Sequence, residues 1–132
     1  MLPTNIGEKE NTVTAQVNGS VYISNDVLAD LAGHAAMESY GVVGMANTSF
    51  IAGAAQLLPG QRLRRGVRIT QIPEGQPHAG AVEVDLYVVI EYGTNLAEVS
   101  RNLADFVTHL LEHLAQVEVL RCDVHVVDVK VR

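Results

Sequence analysis

The chain has 132 residues, 48% of them hydrophobic and 18% charged, so it is long enough to bury a core without disulfides and too apolar to be disordered throughout. Its formal net charge of -6 disfavours a general nucleic-acid-binding role, because an acidic surface repels phosphate. The only cysteine, Cys122, cannot form an internal disulfide, so nothing requires an oxidising compartment.

Targeting signals are not evident in the sequence. The N-terminus has no basic start followed by an apolar core, and no apolar run approaches the roughly 20 residues of a membrane helix. We therefore expect a cytoplasmic protein that does not insert into the bilayer directly. Residues 1–11 are polar and are predicted to form a disordered lead-in, and residues 12–132 a single α+β domain.

The first third of the chain predicts a hairpin, or one interrupted strand, followed by a helix. Apolar residues alternate over 13–23 around the turn signal Asn18-Gly19. Ser24 is predicted to cap the helix, and Gly41 to end it in the left-handed conformation. The apolar stripe of this helix consists of Val27, Leu28, Leu31, Ala32 and Ala35.

The middle of the chain predicts two strands separated by a long connection. A short strand falls within 42–50, and the apolar stretch 50–58 is compatible with a short helix. A basic loop over 61–66 leads to a strand at 67–73, and a further loop at 74–80 joins this strand to the next.

The last third contains the unit around which we expect the domain to be organised. Residues 82–90 alternate apolar and polar, as in a half-buried strand, and Thr94 or Asn95 is placed to cap a following helix. We expect Leu103, Phe106 and Leu110 of that helix to pack on the strand. Residues 119–131 predict a final strand, with a bulge or an edge near Val126-Val127. The full helical stripe is Leu96, Val99, Leu103, Phe106, Val107, Leu110 and Leu114.

These elements predict one mixed or mainly antiparallel sheet with two helices packed on one face, in the order β-α-β-β-β-α-β. KH-like and ferredoxin-like arrangements both fit this order.

The sequence His109-Leu110-Leu111-Glu112-His113 matches a zinc-protease pattern. A catalytic zinc ion needs a third protein ligand and a cleft, and the two histidines fall on the polar flank of the helix. We therefore predict that the pair is solvated helix surface and binds no stoichiometric metal. No catalytic residue and no cofactor site is predicted elsewhere.

Two further patterns concern anions. Gly41-Val42-Val43-Gly44 matches the G-x-x-G of KH domains, but both intervening residues are valine, so we interpret it as a helix end followed by a buried strand. Four of the nine basic residues lie close together, and we predict them as possible contacts for a partner or an anion. They are Arg62, Arg64, Arg65 and Arg68.

Several segments in this order resemble the alkaline shock protein family, the envelope stress response proteins of Gram-positive bacteria. The resemblance covers residues 19–131 and is weakest at 47–65. Its segments are GSVYIS at 19–24, ESYGVVG at 38–44, GVRI at 66–69, VEVDLYVVIEYG at 82–93, Glu98-Val99, and VLRCDVHVVDVKV at 119–131.

The resemblance implies a non-enzymatic cytoplasmic scaffold that self-associates or is held near the membrane by a membrane-anchored partner, and it supplies no catalytic residues. For other family members it implies a link to fatty-acid metabolism. The alternative left open is a nucleic-acid or small-ligand binding module with a KH-like or ferredoxin-like fold, although no nucleic-acid partner is expected for so acidic a chain.

Overall fold

The computed structural model describes residues 10–14, 20–47 and 60–131. The predicted α+β order is confirmed, with a hairpin before the first helix. The apolar stretch 50–58 and residues 1–9 of the predicted lead-in lie outside the described residues. The elements are β1 (Glu10–Thr14), β2 (Ser20–Ser24), α1 (Asn25–Glu38), β3 (Val42–Met45), a 3-10 helix (Gly60–Gly66), β4 (Val67–Gln71), β5 (Val82–Glu91), α2 (Leu96–Leu110), a π-helical turn (Leu111–Ala115) and β6 (Val119–Lys130).

The first two strands form the hairpin that the sequence allowed. They pair antiparallel, from Glu10 opposite Ser24 to Thr14 opposite Ser20. β1 thus begins two residues inside the predicted lead-in. Ser24 then accepts a hydrogen bond from the backbone N–H of Val27 at 3.3 Å, which satisfies one orphan donor of α1 and confirms the predicted cap.

A mixed four-stranded sheet has β5 at its centre. One edge of β5 pairs antiparallel with β4 at Val82–Leu86 and with β3 at Val88–Ile90, while its other edge pairs in parallel with β6 along its whole length. The parallel pair needs a crossover, which α2 supplies. The β6 register skips a residue at Val127, next to Val126 paired with Val88, so the predicted bulge is confirmed.

Both helices cover the same face of this sheet. The alternating residues of β5 that were predicted to face inward are fully buried, and they meet the small residues of α1 and the stripe of α2. The core members from these three elements are Leu28, Ala32, Ala35, Ala36, Val82, Val84, Leu86, Val88, Ile90, Val99, Leu103 and Val107. The small side chains let α1 lie close to the sheet, where packing density governs stability.

The predicted inner face of α2 was partly wrong. Leu103 is fully buried, but Phe106 is 39% exposed and Leu110 only borders the core. The buried residues follow a four-residue spacing, Val99, Leu103, Val107, Leu111 and Ala115. This spacing is already present within α2 at Val99, Leu103 and Val107, so Phe106 falls beside the buried stripe. The π-helical turn continues the stripe through Leu111 and Ala115 and leaves Leu114 64% exposed.

Val27 is a second exception, since it was predicted in the stripe of α1 and is 48% exposed.

The predicted basic loop at 61–66 is also wrong in detail, because these residues form the 3-10 helix. This helix packs on α1 at Gly33, where a Cβ would come within 3.0 Å of the Leu63 Cβ.

Candidate functional site

The sheet face opposite the helices carries the densest group of charged side chains in the described residues. On β5 this face presents Glu83, Asp85 and Tyr87, and the parallel register brings Arg121, Asp123 and His125 of β6 beside them. Farther along the same strand Val89 is fully buried, whereas Glu91 at the end of the strand is half-buried. The charged group therefore lies on the Glu83–Tyr87 half of β5, separated from Glu91 by a buried apolar residue.

Arg121 is surrounded by carboxylates. Its Nη1 donates to Asp85 Oδ1 at 3.1 Å and also contacts Asp123, and its Nη2 lies 3.4 Å from Glu83 Oε1. Burial alone would raise the pKa of Asp85, but hydrogen bonds from His125 and Arg121 outweigh it and hold that pKa below the usual value. The pKa of Arg121 is raised by its hydrogen bonds to the three carboxylates. The positive charge is thus neutralised locally.

His125 and Tyr87 complete this group. His125 Nε2 lies 3.0 Å from Asp85 Oδ1, and its ring stacks on Tyr87 with centroids 4.5 Å apart and 10° between planes. On the far side, the guanidinium carbon of Arg68 lies 5.9 Å from the Tyr87 centroid, within cation–π range. Each of these polar groups therefore already has a partner within the chain.

This arrangement supports structural ion pairing better than catalysis. In the parts of the chain that the structure describes, no group of three or more histidine, cysteine or acidic side chains is placed to hold a metal ion. The alternation over 82–90 places Glu83 and Asp85 on the polar side of a half-buried strand. It does not reveal their link to Arg121 and His125, because only the parallel register of two distant strands brings these residues together.

The four arginines predicted as partner or anion contacts do not form one cluster. Arg64 binds Asp30 in a bidentate manner, at 2.8 and 3.0 Å, and reaches Asp26 at 3.2 Å, so it ties the 3-10 helix to α1. Arg68 lies on the opposite face of the sheet at Tyr87, and Arg65 is exposed. The Arg62 side chain lies outside the described residues. Their role as partner contacts stays a prediction.

The histidine pair lies on the exposed flank of α2 and the π-helical turn. The two rings are tilted, with centroids 3.9 Å apart. Nδ1 of His113 lies 3.0 Å from the His109 carbonyl oxygen, an arrangement in which this nitrogen donates to the carbonyl. One nitrogen of the pair is thereby engaged locally, and the zinc prediction remains to be measured.

The cysteine faces the helix side of β6. Burial raises the pKa of the Cys122 thiol to about 11, although a hydrogen bond with Thr108 works in the opposite direction. A thiol with so high a pKa is a poor nucleophile near neutral pH. This agrees with its interpretation as a small packing residue at the edge of the core.

A groove lies between the end of α1 and α2. It has a volume of about 270 Å³ and is lined by Glu38, Ser39, Tyr40, Asn102, Leu103 and Phe106. Tyr40 is 81% exposed and Phe106 39% exposed. Ser39 Oγ donates to the Ala35 carbonyl oxygen at 3.1 Å, so its hydroxyl donor is already used. The lining has one carboxylate, that of Glu38, which suits a packing contact better than acid–base chemistry.

The outer edge of β6 is a second candidate surface. Within the described ranges, β6 pairs only with β5, so a strand of twelve residues presents unpaired backbone groups on its other side. Open edges of this length readily accept another strand.

As for membrane contact, the described helices include none that is both long enough and apolar enough to cross a bilayer.

A comparison with known proteins decides the family of this chain. The model of the alkaline shock protein family, whose described role is a cell envelope-related function, matches residues 13–131. The chain belongs to the alkaline shock protein family. The match extends over almost the whole chain, so the resemblance noted in the sequence is confirmed.

Two relatives support the assignment of this alkaline shock protein family member. The uncharacterized protein YloU of Bacillus subtilis is 33% identical over 114 residues, which cover 86% of this chain and 90% of the relative. The uncharacterized protein Spy1614 of Streptococcus pyogenes is 33% identical over 123 residues, covering 90% of this chain and 97% of the relative. No solved structure gave a significant match.

Proposed function

We propose that this alkaline shock protein family member is a non-enzymatic, cytoplasmic interaction protein of the envelope stress response. It acts by associating with itself or with a membrane-anchored protein partner that holds it near the membrane. The family's cell envelope-related function supports the setting, and the groove between α1 and α2 supports the mode of action.

The groove carries the proposal because it leaves large apolar side chains outside the core. Phe106 is an aromatic residue on the helix that supplies the buried stripe, yet its side chain lies outside that stripe and lines the groove together with Tyr40, just after α1. Aromatic side chains at the centre of an interface contribute most of its binding energy. A protein surface inserted between the two rings would bury both, whereas the single carboxylate of the lining offers little for a reaction.

Direct membrane binding is disfavoured by charge. The net charge of -6 opposes anionic headgroups, and basic residues contribute only about 1 kcal/mol each at such a surface. Of the four arginines near residue 65, Arg64 is already neutralised by Asp26 and Asp30. A tethered protein partner explains a location near the membrane without lipid contact.

Two measurements on the purified protein test this. Sedimentation velocity across a concentration series should reveal dimers or larger species, and flotation with anionic liposomes should leave the protein behind. Phe106→Ser should weaken the association with a partner bound in the groove, whereas Leu114→Ser, an exposed residue outside the groove, should not. A strict monomer that floats with liposomes by itself would overturn the proposal.

A further inference from the structure

The backbone pairing of β5 shows which residues of β6 face outward. β5 residues with odd numbers bond toward β3 and β4, since Tyr87 O accepts from Ala46 N and Glu91 N donates to Gly41 O. The even-numbered Val82, at the start of β5, and Tyr92, just beyond its end, bond toward β6, donating to the carbonyls of Glu118 and Lys130 at 2.9 and 2.8 Å.

This alternation assigns the free edge. In a parallel ladder, the N–H and C=O of a residue bond to the two residues that flank its register partner on the other strand. The N–H and C=O of the register partner itself then point to the opposite side of its strand. Val84, Leu86 and Val88 are in register with Cys122, Val124 and Val126. The N–H and C=O groups of these last three residues therefore point outward from β6, away from the sheet.

The strand is also nearly symmetric about Val124. Its register with β5 skips one residue at Leu120 and one at Val127, which leaves a regular run between two irregularities. Glu118 and Lys130, whose carbonyls both bond inward, lie six residues on either side of Val124. A strand with this symmetry presents the same edge when it is rotated by 180° about an axis perpendicular to the sheet through Val124.

We propose that β6 pairs antiparallel with β6 of a second copy of the chain, centred on Val124. The proposal rests on the proposed function and names the partner as the protein itself. The outward backbone groups of the three central residues then bond across the two-fold axis, and the two four-stranded sheets become one continuous sheet. Such an interface is isologous and closes as a dimer.

Side-chain complementarity selects this register. Centred on Val124, Asp123 lies opposite His125 of the second copy, Glu118 lies opposite Lys130, and valines meet at the axis. Opposite charges directly across a ladder stabilise it, and like charges destabilise it, so the two Glu118–Lys130 pairs favour this register. Centring on Asp123 would place two aspartates together across the axis. Centring on Cys122 would leave the end of the strand, from Val127 onward, without a partner.

A charge-swap experiment tests the register. Glu118→Lys and Lys130→Glu should each place two like-charged pairs in the dimer and raise its dissociation constant by roughly tenfold, measured by sedimentation equilibrium. The double variant should restore dimerisation. A mixture of the two single variants should form heterodimers more tightly than either forms homodimers, because every pair is then complementary.

Three controls separate this effect from other causes. Glu74→Lys in the exposed β4–β5 turn and Arg101→Glu on α2 repeat the charge changes away from β6. Glu118 also lies 3.0 Å from His78 Nδ1, so His78→Asn tests the loss of that contact alone. None of the three should alter dimerisation by more than about twofold.

Amide hydrogen exchange gives a second readout that does not depend on charge. The amides of Cys122, Val124 and Val126 should gain protection as the protein concentration rises, while Arg121, Asp123 and His125, bonded to β5, should be protected at all concentrations. Association without protection of the three outward amides, or with no response to the charge swaps, would overturn β6 pairing and leave the proposed function standing. A wild-type protein that stays monomeric would overturn β6 pairing, and capture of a membrane-anchored partner would then decide the proposed function.

Discussion

Asp85 is the least exposed of the carboxylates that contact Arg121 on the open face of the sheet. Its side chain is 13% exposed and contacts Arg121 and His125. These two side chains take the place of the water molecules that would otherwise bind the carboxylate. Since hydrogen bonds to charged groups are worth about 1.5–3 kcal/mol when buried, a partly exposed pair of this kind should contribute less.

We expect Asp85→Asn to lower the free energy of unfolding by about 1–2 kcal/mol at neutral pH. The pKa of Asp85 is lower in the folded state than its ordinary value of 3.8, so its contribution is present above that value and is lost as the pH falls through the folded pKa. Urea unfolding at neutral pH and at about pH 3 should show that the variant loses less stability on acidification than the wild type.

Asp123→Asn is the matched control for this prediction. Asp123 contacts Arg121 from a side chain that is 50% exposed, so solvent screens the pair and its loss should cost less than about 1 kcal/mol. An equal effect of the two variants would show that burial does not distinguish the two carboxylates.

At the scale of elements, the orientation of α2 decides which residues build the core and which line the groove. Leu103→Ala removes a fully buried side chain and should cost about 2–5 kcal/mol. Phe106→Ala removes a ring that is 39% exposed and should cost only about 1 kcal/mol. Chemical denaturation measures both, and a larger loss for Phe106 would contradict the observed helix face.

The connection between α1 and β3 depends on a glycine. Gly41 has a φ of +85°, and a Cβ there would lie 2.8 Å from Val99 Cγ2 on α2. We expect Gly41→Ala to cost roughly 3 kcal/mol, because strain in the left-handed region adds to the clash. Gly75 has a similar φ of +88° with nothing near its missing Cβ, so Gly75→Ala should cost only about 1–2 kcal/mol.

Val99→Ala provides a further check on that contact. If the clash with Val99 accounts for part of the loss, the double variant Gly41→Ala/Val99→Ala should be more stable than the sum of the single losses predicts. Strict additivity would assign the whole cost to the backbone conformation.

At the scale of the whole molecule, α1, α2 and the sheet share one contiguous core. We therefore expect the domain to unfold as one unit, so that any association of the folded chain adds to its stability. If copies of the chain associate in the folded state, the melting temperature rises with protein concentration by mass action. Circular dichroism melts over a hundredfold concentration range should show this rise. A melting temperature that does not change with concentration would argue against self-association of the folded chain.

Local features of the fold followed directly from the sequence. The alternation over 82–90, the cap at Ser24 and the bulge near Val126-Val127 involve residues close together along the chain, whose preferences act before any tertiary contact forms. The same holds for the cap of α2, where Asn95, one of the two predicted residues, accepts from the backbone N–H of Glu98 at 3.0 Å. The order of elements and the single mixed sheet followed from these signals.

The tertiary structure decided the rest. Helical periodicity placed Phe106 in the core, but the buried stripe of α2 runs through Leu103 and Val107 instead, because packing against the sheet and α1 sets the rotation of the helix about its axis. Arg121 meets Asp85, and Arg64 meets Asp30, only after chain segments more than thirty residues apart come together. Hydrophobic alternation and helix capping depend on neighbouring residues in the chain, whereas strand register and helix orientation depend on the packing of the complete domain. The candidate surfaces of this protein, the groove and the edge of β6, belong to the second kind.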